Sequence, residues 1–164
     1  PLKLRSTVNR GTLVSLQMQP VSAANDYVDP TSKLAGVTVS RLPALNLLCV
    51  DNDRRILEGM KSLLSQWGCR VTTATNSSEA MQTANMPDAV LADYHLDHEN
   101  GLQLIALMRE KFGKNLPALL LTADRSLEVR QMADAADVIL LNKPIKPAAL
   151  RAALMRNRTE FAAE

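Results

Sequence analysis

The sequence predicts an α/β domain built on a doubly wound parallel sheet of five strands, with a β-hairpin appended before it. From Asn46 onward, short apolar runs alternate five times with amphipathic segments. This alternation is typical of parallel sheets with right-handed crossover helices. The runs are apolar throughout, as expected for strands covered on both faces. Polar side chains follow directly after several runs, at the strand ends where ligands bind in this fold class.

The composition is that of a globular protein. Of its 164 residues, 46% are hydrophobic and 3% aromatic, so the core has to be built mainly from aliphatic side chains. A net charge of +2 gives no reason to expect nucleic-acid binding. No apolar stretch approaches the length of a membrane span and no signal peptide is visible, so we expect a cytoplasmic protein. Cys49 and Cys69 lie in or beside predicted strands, and we expect core packing rather than a disulfide.

The first 20 residues predict a β-hairpin. Apolar and polar side chains alternate in residues 2–6 and 12–18, with Asn9-Arg10-Gly11 between them. An isolated hairpin is marginally stable. We therefore expect it to pack on the following domain or to pair edge to edge with a second copy, which would form a homodimer. The start at Pro1, without methionine, suggests a piece of a longer polypeptide.

Five strand–helix units follow the hairpin and a mixed, polar linker. The predicted strands are 46–50, 70–74, 88–92, 117–121 and 138–141. The residues expected to open the helices, in chain order, are Asp53, Ser77 or Ser78, Asn100, Ser126 and Pro147. Gly68 is expected to end the first helix, and Ala84 to end the short second one. Apolar residues recur at helical spacing in these segments, which predicts one buried face for each.

Four strand ends carry groups with complementary chemistry. Asp51 follows the first strand and Asp93 the third, whereas Thr122 follows the fourth and Lys143 the fifth. Because the carboxyl ends of parallel strands line one edge of the sheet, we expect these groups to lie close together. Two carboxylates, a hydroxyl and an ammonium suit a phosphoryl group bound with a divalent cation.

With these motifs in this order, residues 46–155 resemble the receiver domain of two-component phosphorelays. The resemblance implies a flavodoxin-like (βα)5 fold with strand order 2-1-3-4-5. It also implies that Asp93 accepts a phosphoryl group from phosphohistidine, while Thr122 and Lys143 contact the phosphoryl oxygens. The implied cofactor is Mg²⁺. Its implied ligands are Asp51, Asn52, Asp93 and the backbone carbonyl of His95.

Two positions near the site depart from the family pattern. Asn52 stands where a second acidic residue is usual. Its amide oxygen can coordinate a metal but brings no charge, so we expect weaker metal binding. Leu140 replaces the aromatic residue often found three positions before the lysine, which predicts a muted rearrangement on phosphorylation. The family often has a cis bond at the position of Lys143–Pro144.

The loop after Asp93 is also atypical. Leu96 and Asp97 stand where the family often has Met and Pro. Residues 97–99 are interpreted as a solvated loop. Gly101 falls at a position expected to need a positive φ angle.

The hairpin resembles the closing strands of the ATP-binding domain of sensor histidine kinases, through Ser6, Gly11, Thr12 and Pro20. Together the two resemblances predict the C-terminal receiver domain of a hybrid histidine kinase, a phosphotransferase. The receiver would catalyse only its own phosphorylation and dephosphorylation. Its expected partner is the parent kinase domain or a histidine phosphotransfer protein, with no nucleic-acid or membrane contact. The predicted parts are a hairpin remnant at 1–20, a linker at 21–44, the receiver at 45–157 and a tail at 158–164.

Two alternatives remain open. Asn52 and Leu140 would also fit a receiver-like module that binds partners and is never phosphorylated. A phosphohydrolase of the haloacid-dehalogenase type also uses a strand-end Asp, a Thr and a Lys, and residues 51–53 match its Asp-x-Asp pattern. That family expects Thr or Val where Arg55 stands, and its acidic pair after the lysine is missing. Turnover of a phosphate ester, lost on mutation of Asp51, would favour the phosphohydrolase.

Overall fold

The computed structural model describes residues 2–7, 11–16, 42 and 44–161. The chain divides into two units, one within residues 1–38 and one within residues 39–164. The first unit contains the predicted hairpin, with strands β1 (Leu2–Thr7) and β2 (Gly11–Leu16) paired antiparallel. The predicted linker, residues 21–44, lies almost entirely outside the described residues.

A parallel sheet of five strands forms the centre of the second unit. The strands are β3 (Asn46–Val50), β4 (Arg70–Ala74), β5 (Ala89–Asp93), β6 (Ala118–Thr122) and β7 (Ile139–Asn142). They lie side by side in the order β4-β3-β5-β6-β7, which confirms the predicted order 2-1-3-4-5. Every residue of β5 and β6 is buried, as their uninterrupted apolar sequences predict.

Five helices connect or follow these strands in the described part of the unit. They are α1 (Arg54–Gln66), α2 (Ser77–Met81), α3 (Gly101–Phe112), α4 (Leu127–Ala135) and α5 (Pro147–Phe161). The predicted caps Asp53, Asn100 and Ser126 are confirmed, because each side chain accepts a hydrogen bond from a backbone N–H in the first turn. None of the described helices is both long and apolar enough to cross a bilayer.

The bounds of the short helix α2 differ from the prediction. Its cap is Asn76 rather than Ser77 or Ser78, because the Asn76 side chain accepts a hydrogen bond from Glu79 N at 2.9 Å. The Glu79 carboxylate also accepts a hydrogen bond from a backbone N–H just before the helix. The helix ends at Met81, three residues before the predicted end. Asn and Ser are similarly good caps, so the local sequence did not distinguish them.

The core has two layers, one on each face of the sheet. Alternate side chains of β3 divide between them, so that Leu48 joins the layer under α2, α3 and α4, and Leu47 joins the layer under α1 and α5. Cys49 and Cys69 are buried in the second layer as free thiols, which confirms core packing. Burial, and next the charge of Cys69, raise the pKa of the Cys49 thiol to about 12, so this thiol stays protonated.

Arg109 in α3 joins three segments near the far end of the sheet. Its guanidinium donates to the carbonyls of Leu116, Ala136 and Asp137 at 3.1, 2.5 and 2.9 Å. We expect Arg109→Ala to lower the free energy of unfolding by about 2 kcal/mol, because three carbonyls lose a charged donor. Urea denaturation measures this, with the exposed Arg130→Ala as a control expected within about 0.5 kcal/mol of wild type. Equal losses in the two variants would contradict this role.

Candidate functional site

The ends of β3, β5 and β7 bring three of the predicted site residues together. Lys143 Nζ lies 3.1 Å from Asp51 Oδ2 and 3.1 Å from Asp93 Oδ1. The two aspartates are buried, at 3% and 7% exposure. Buried carboxylates require a partner, and the ammonium of Lys143 compensates the negative charge of both.

The surroundings of Lys143 keep its side chain charged. Burial of the ammonium lowers its pKa, but hydrogen bonds to Asp93 and Asp51 outweigh this effect and raise the pKa above its ordinary value of 10.5. Such a group stabilises the fold below its unfolded pKa, and this contribution is lost as the pH rises through the folded pKa. The contribution is therefore fully present at neutral pH. The Lys143–Pro144 peptide bond is cis, as is often the case in the family that the sequence resembles.

We expect Lys143→Met to lower the free energy of unfolding at neutral pH by about 2 kcal/mol, since two buried carboxylates then lack their cation. This value is reduced from that of a fully buried pair because the Lys143 side chain is 24% exposed. The difference from wild type should shrink at a pH above 10.5, where the wild-type lysine also begins to lose its charge. Denaturation at both pH values measures it, with the exposed Lys146→Met as control. Equal stability of the two variants at neutral pH would contradict this pairing.

Thr122 is fully buried at the end of β6, the strand between β5 and β7. Its hydroxyl oxygen accepts a hydrogen bond from Asp124 N at 3.0 Å, and its carbonyl accepts one from Lys143 N at 2.7 Å. Because the hydroxyl oxygen is the acceptor here, its proton is not used in this hydrogen bond.

Asn52 and the loop after β5 are arranged differently from the expectation. Asn52 Nδ2 donates to Asp97 Oδ1 at 2.5 Å, and Ser77 N donates to Glu99 Oε1 at 2.8 Å. Asp97 and Glu99, which belong to the segment interpreted as a solvated loop, thus contact the loops after β3 and β4. Asp97 and His98 are nevertheless exposed. No signal in the sequence pairs Asn52 with Asp97, since they are 45 residues apart.

His95 lies on the exposed side of the same loop. Its ring packs edge to face on Tyr94, with the ring centroids 4.8 Å apart. The neighbouring carbonyls of Tyr94 and Glu99 accept backbone hydrogen bonds, whereas the His95 carbonyl accepts none from the described residues. That carbonyl oxygen is therefore available for coordination.

The positive φ angle predicted for Gly101 is wrong, because the glycines with positive φ in the described residues are Gly11, Gly68 and Gly113. Gly101 is required for a different reason. A Cβ atom at this position would lie 2.3 Å from the carbonyl oxygen of Asp93 and 2.8 Å from Leu120 Cδ1. The absence of a side chain therefore lets α3 begin directly against the backbone of Asp93.

The oxygen atoms at this edge suit a hard divalent cation. The carboxylates of Asp51 and Asp93 already face one positive charge, the ammonium of Lys143. The described residues contain no group of three or more His, Cys, Asp and Glu that could hold a metal ion. A cation here would therefore combine the two carboxylates with amide, carbonyl and water oxygens, which are ordinary Mg²⁺ ligands.

Comparison with known proteins finds relatives of the second unit. The family model described as the response regulator receiver domain matches residues 47–155. The response regulator MprA of Mycobacterium leprae (strain TN) is 33% identical over 127 residues, covering 73% of this chain and 55% of that protein. The putative two-component response regulator ARR21 of Arabidopsis thaliana is 30% identical over 107 residues, covering 63% of this chain and 17% of that protein. The chain thus spans about half or less of the length of these relatives.

Solved structures share the fold of the second unit. The signal receiver domain of an HD domain-containing protein from Pseudomonas fluorescens Pf-5 is 25% identical with a TM-score of 0.67, covering 74% of this chain and 100% of that one. The chemotaxis protein CheY4 of Vibrio cholerae is 26% identical with a TM-score of 0.64, covering 70% of this chain and 98% of that one. These likenesses confirm the predicted flavodoxin-like fold.

Proposed function

This chain belongs to the response regulator receiver family of two-component signalling, and we propose that Asp93 is the residue that accepts the phosphoryl group. The observation that carries the proposal is the buried Asp93 carboxylate held 3.1 Å from the ammonium of Lys143. In the proposed transfer, a carboxylate oxygen of Asp93 forms a bond to phosphorus as the phosphorus–nitrogen bond of the donor phosphohistidine breaks. The product is an acyl phosphate. Water or the nitrogen of a recipient histidine then attacks its phosphorus, and the oxygen–phosphorus bond breaks to regenerate the Asp93 carboxylate.

Lys143 and Thr122 have separate roles in this proposal. The Lys143 ammonium is charged at neutral pH and offsets the negative charge of the phosphoryl oxygens during the transfer. The Thr122 hydroxyl donates its proton to one of those oxygens, while Asp124 N holds the hydroxyl oxygen in place. Both groups are positioned before the reaction by the ends of neighbouring strands.

The proposed cofactor is Mg²⁺, bound by Asp51, Asn52, Asp93 and the carbonyl of His95. When bound, the cation offsets the negative charge that gathers around the transferring phosphoryl group. The Asp51 carboxylate is oriented for cation binding because Oδ1, the oxygen that does not contact Lys143, accepts a hydrogen bond from Asp53 N at 2.9 Å. The His95 carbonyl supports the assignment because no described donor occupies it.

The wider context is also a proposal. We place the receiver, residues 45–157, in a cytoplasmic hybrid sensor histidine kinase, with residues 1–20 as the last strands of its ATP-binding domain. The antiparallel pairing of β1 and β2 supports this assignment. The donor would be the parent kinase domain or a histidine phosphotransfer protein, and the receiver would catalyse only reactions of its own aspartyl phosphate.

The hairpin also supports a proposed homodimer. Leu4 and Val14 lie opposite each other in the hairpin and are 63% and 57% exposed. Edge-to-edge pairing of the hairpin with that of a second copy would extend this apolar face. We expect sedimentation velocity to show a dimer that dissociates in Leu4→Lys. A monomer at every concentration tested would contradict the proposal.

The central test is labelling with acetyl phosphate. The protein is incubated with acetyl phosphate and Mg²⁺, and its intact mass is measured before and after hydroxylamine, which cleaves acyl phosphates. We expect one phosphate adduct that hydroxylamine removes, that maps to the peptide containing Asp93, and that is much reduced by a chelator. Absence of any adduct in a folded sample would overturn the proposal and favour the module that only binds partners.

A further inference from the structure

The proposed cation site carries one negative charge fewer than it would with a carboxylate at position 52. Asp51 and Asp93 contribute two carboxylates, but the ammonium of Lys143 compensates part of their charge. The third side-chain ligand, Asn52, is neutral. Because the affinity of a site for a hard divalent cation rises with the charge of its ligands, this set alone would bind Mg²⁺ weakly.

The carboxylate of Asp97, in the loop after β5, contacts the Asn52 side chain. Asp97 Oδ1 accepts a hydrogen bond from Asn52 Nδ2 at 2.5 Å. An ionised carboxylate can only accept hydrogen bonds, so it has to face the NH₂ group of the amide and not its oxygen. In this solvent-exposed contact the amide oxygen is therefore directed away from Asp97. That oxygen accepts no hydrogen bond from the part of the chain that the structure describes.

The loop that carries Asp97 is itself anchored. Leu96, the preceding residue, is buried at 8% exposure, and its N–H donates to the Glu99 carbonyl at 3.2 Å. The Glu99 side chain accepts a hydrogen bond from Ser77 N at the start of α2. These contacts place the Asp97 carboxylate beside Asn52 without requiring a ligand.

We propose that Asp97 is a positioning residue for the cation site. It holds the Asn52 amide with its oxygen free for the cation, and through a charge-assisted hydrogen bond it supplies the negative charge that residue 52 lacks. The inference rests on the proposed cation at Asp51 and Asp93. Partners behind metal ligands orient them and raise their basicity in this way, and their loss weakens metal affinity about 10- to 100-fold.

The test measures Mg²⁺ affinity of the unphosphorylated protein by isothermal titration calorimetry at constant ionic strength. Asp97→Asn keeps a hydrogen-bond acceptor but removes the charge, and Asp97→Ala removes both. We expect the Kd for Mg²⁺ to rise about tenfold in Asp97→Asn and further in Asp97→Ala. The control is Glu110→Gln, which removes one charge from an exposed position near the C-terminal end of α3 and should change the Kd less than about twofold, because charges separated by more than about 10 Å are screened.

A double-mutant cycle separates positioning from general loop stability. Asp97→Asn is repeated in an Asn52→Ala background, where no amide remains to be positioned. We expect Asp97→Asn to change the Kd for Mg²⁺ less than about twofold in that background. An effect of the same size in both backgrounds overturns the inference, as does an unchanged Kd in both Asp97 variants of the otherwise wild-type protein. In those cases the phosphoacceptor role of Asp93 stands, whereas a wild-type protein that binds no Mg²⁺ also removes the proposed cation.

Discussion

Asp93→Asn is expected to form no hydroxylamine-sensitive phosphate adduct with acetyl phosphate and Mg²⁺. The substitution preserves the shape of the side chain and an oxygen that accepts a hydrogen bond from Lys143, whose ammonium lies 3.1 Å from Asp93 Oδ1 in the wild type. It removes the carboxylate that would attack phosphorus, and an amide oxygen is a poor nucleophile. The loss should therefore be complete within detection, while the protein remains folded. Intact-mass measurement after a fixed incubation gives the result.

Asp53→Ala is the control for this experiment. Asp53 is two residues from Asp51, but its carboxylate caps α1 by accepting a hydrogen bond from Arg55 N at 2.9 Å. That hydrogen bond is the main cause of the lowered pKa of Asp53. We expect Asp53→Ala to keep the adduct and to lose only the cap, which lowers stability modestly. If labelling survives in Asp93→Asn but disappears in Asp53→Ala, the phosphoacceptor is Asp53 and not Asp93.

Gly101→Ala is expected to destabilise the domain by about 3 kcal/mol. The added Cβ would lie 2.3 Å from the carbonyl oxygen of Asp93, so the backbone of β5 or the start of α3 has to move. A clash with backbone is not relieved by a rotamer change, and overpacking of this kind typically costs about 1–3 kcal/mol. Because the clash falls on Asp93, we also expect slower phosphorylation in the fraction that remains folded.

Gly59→Ala is the matched control, because the same substitution meets no atom within 4 Å at that position in α1. Alanine favours the interior of a helix over glycine, so this variant should be more stable than wild type by about 0.5–1 kcal/mol. Urea denaturation of both variants gives the comparison. If Gly101→Ala proves as stable as Gly59→Ala, the close approach of α3 to Asp93 is not a constraint on the fold.

Local sequence patterns were sufficient to predict the strands, most helix caps and the three charged groups that meet. A buried strand needs an apolar run, and a parallel sheet brings the ends of its strands to one edge. The positions of Asp51, Asp93 and Lys143 after such runs therefore implied their proximity, which the 3.1 Å distances confirm. The cap at Asp53 was predictable for the same reason, since capping depends on neighbouring residues alone.

Contacts between loops were not predictable in this way. The pairing of Asn52 with Asp97 joins residues 45 positions apart, and the space beside Gly101 depends on how α3 meets β5. The strand pattern specifies where each loop begins but not the path that it takes, because loop conformation depends on which distant groups can satisfy its polar atoms. The folded arrangement of three loops was therefore needed to show how the amide of Asn52 is oriented.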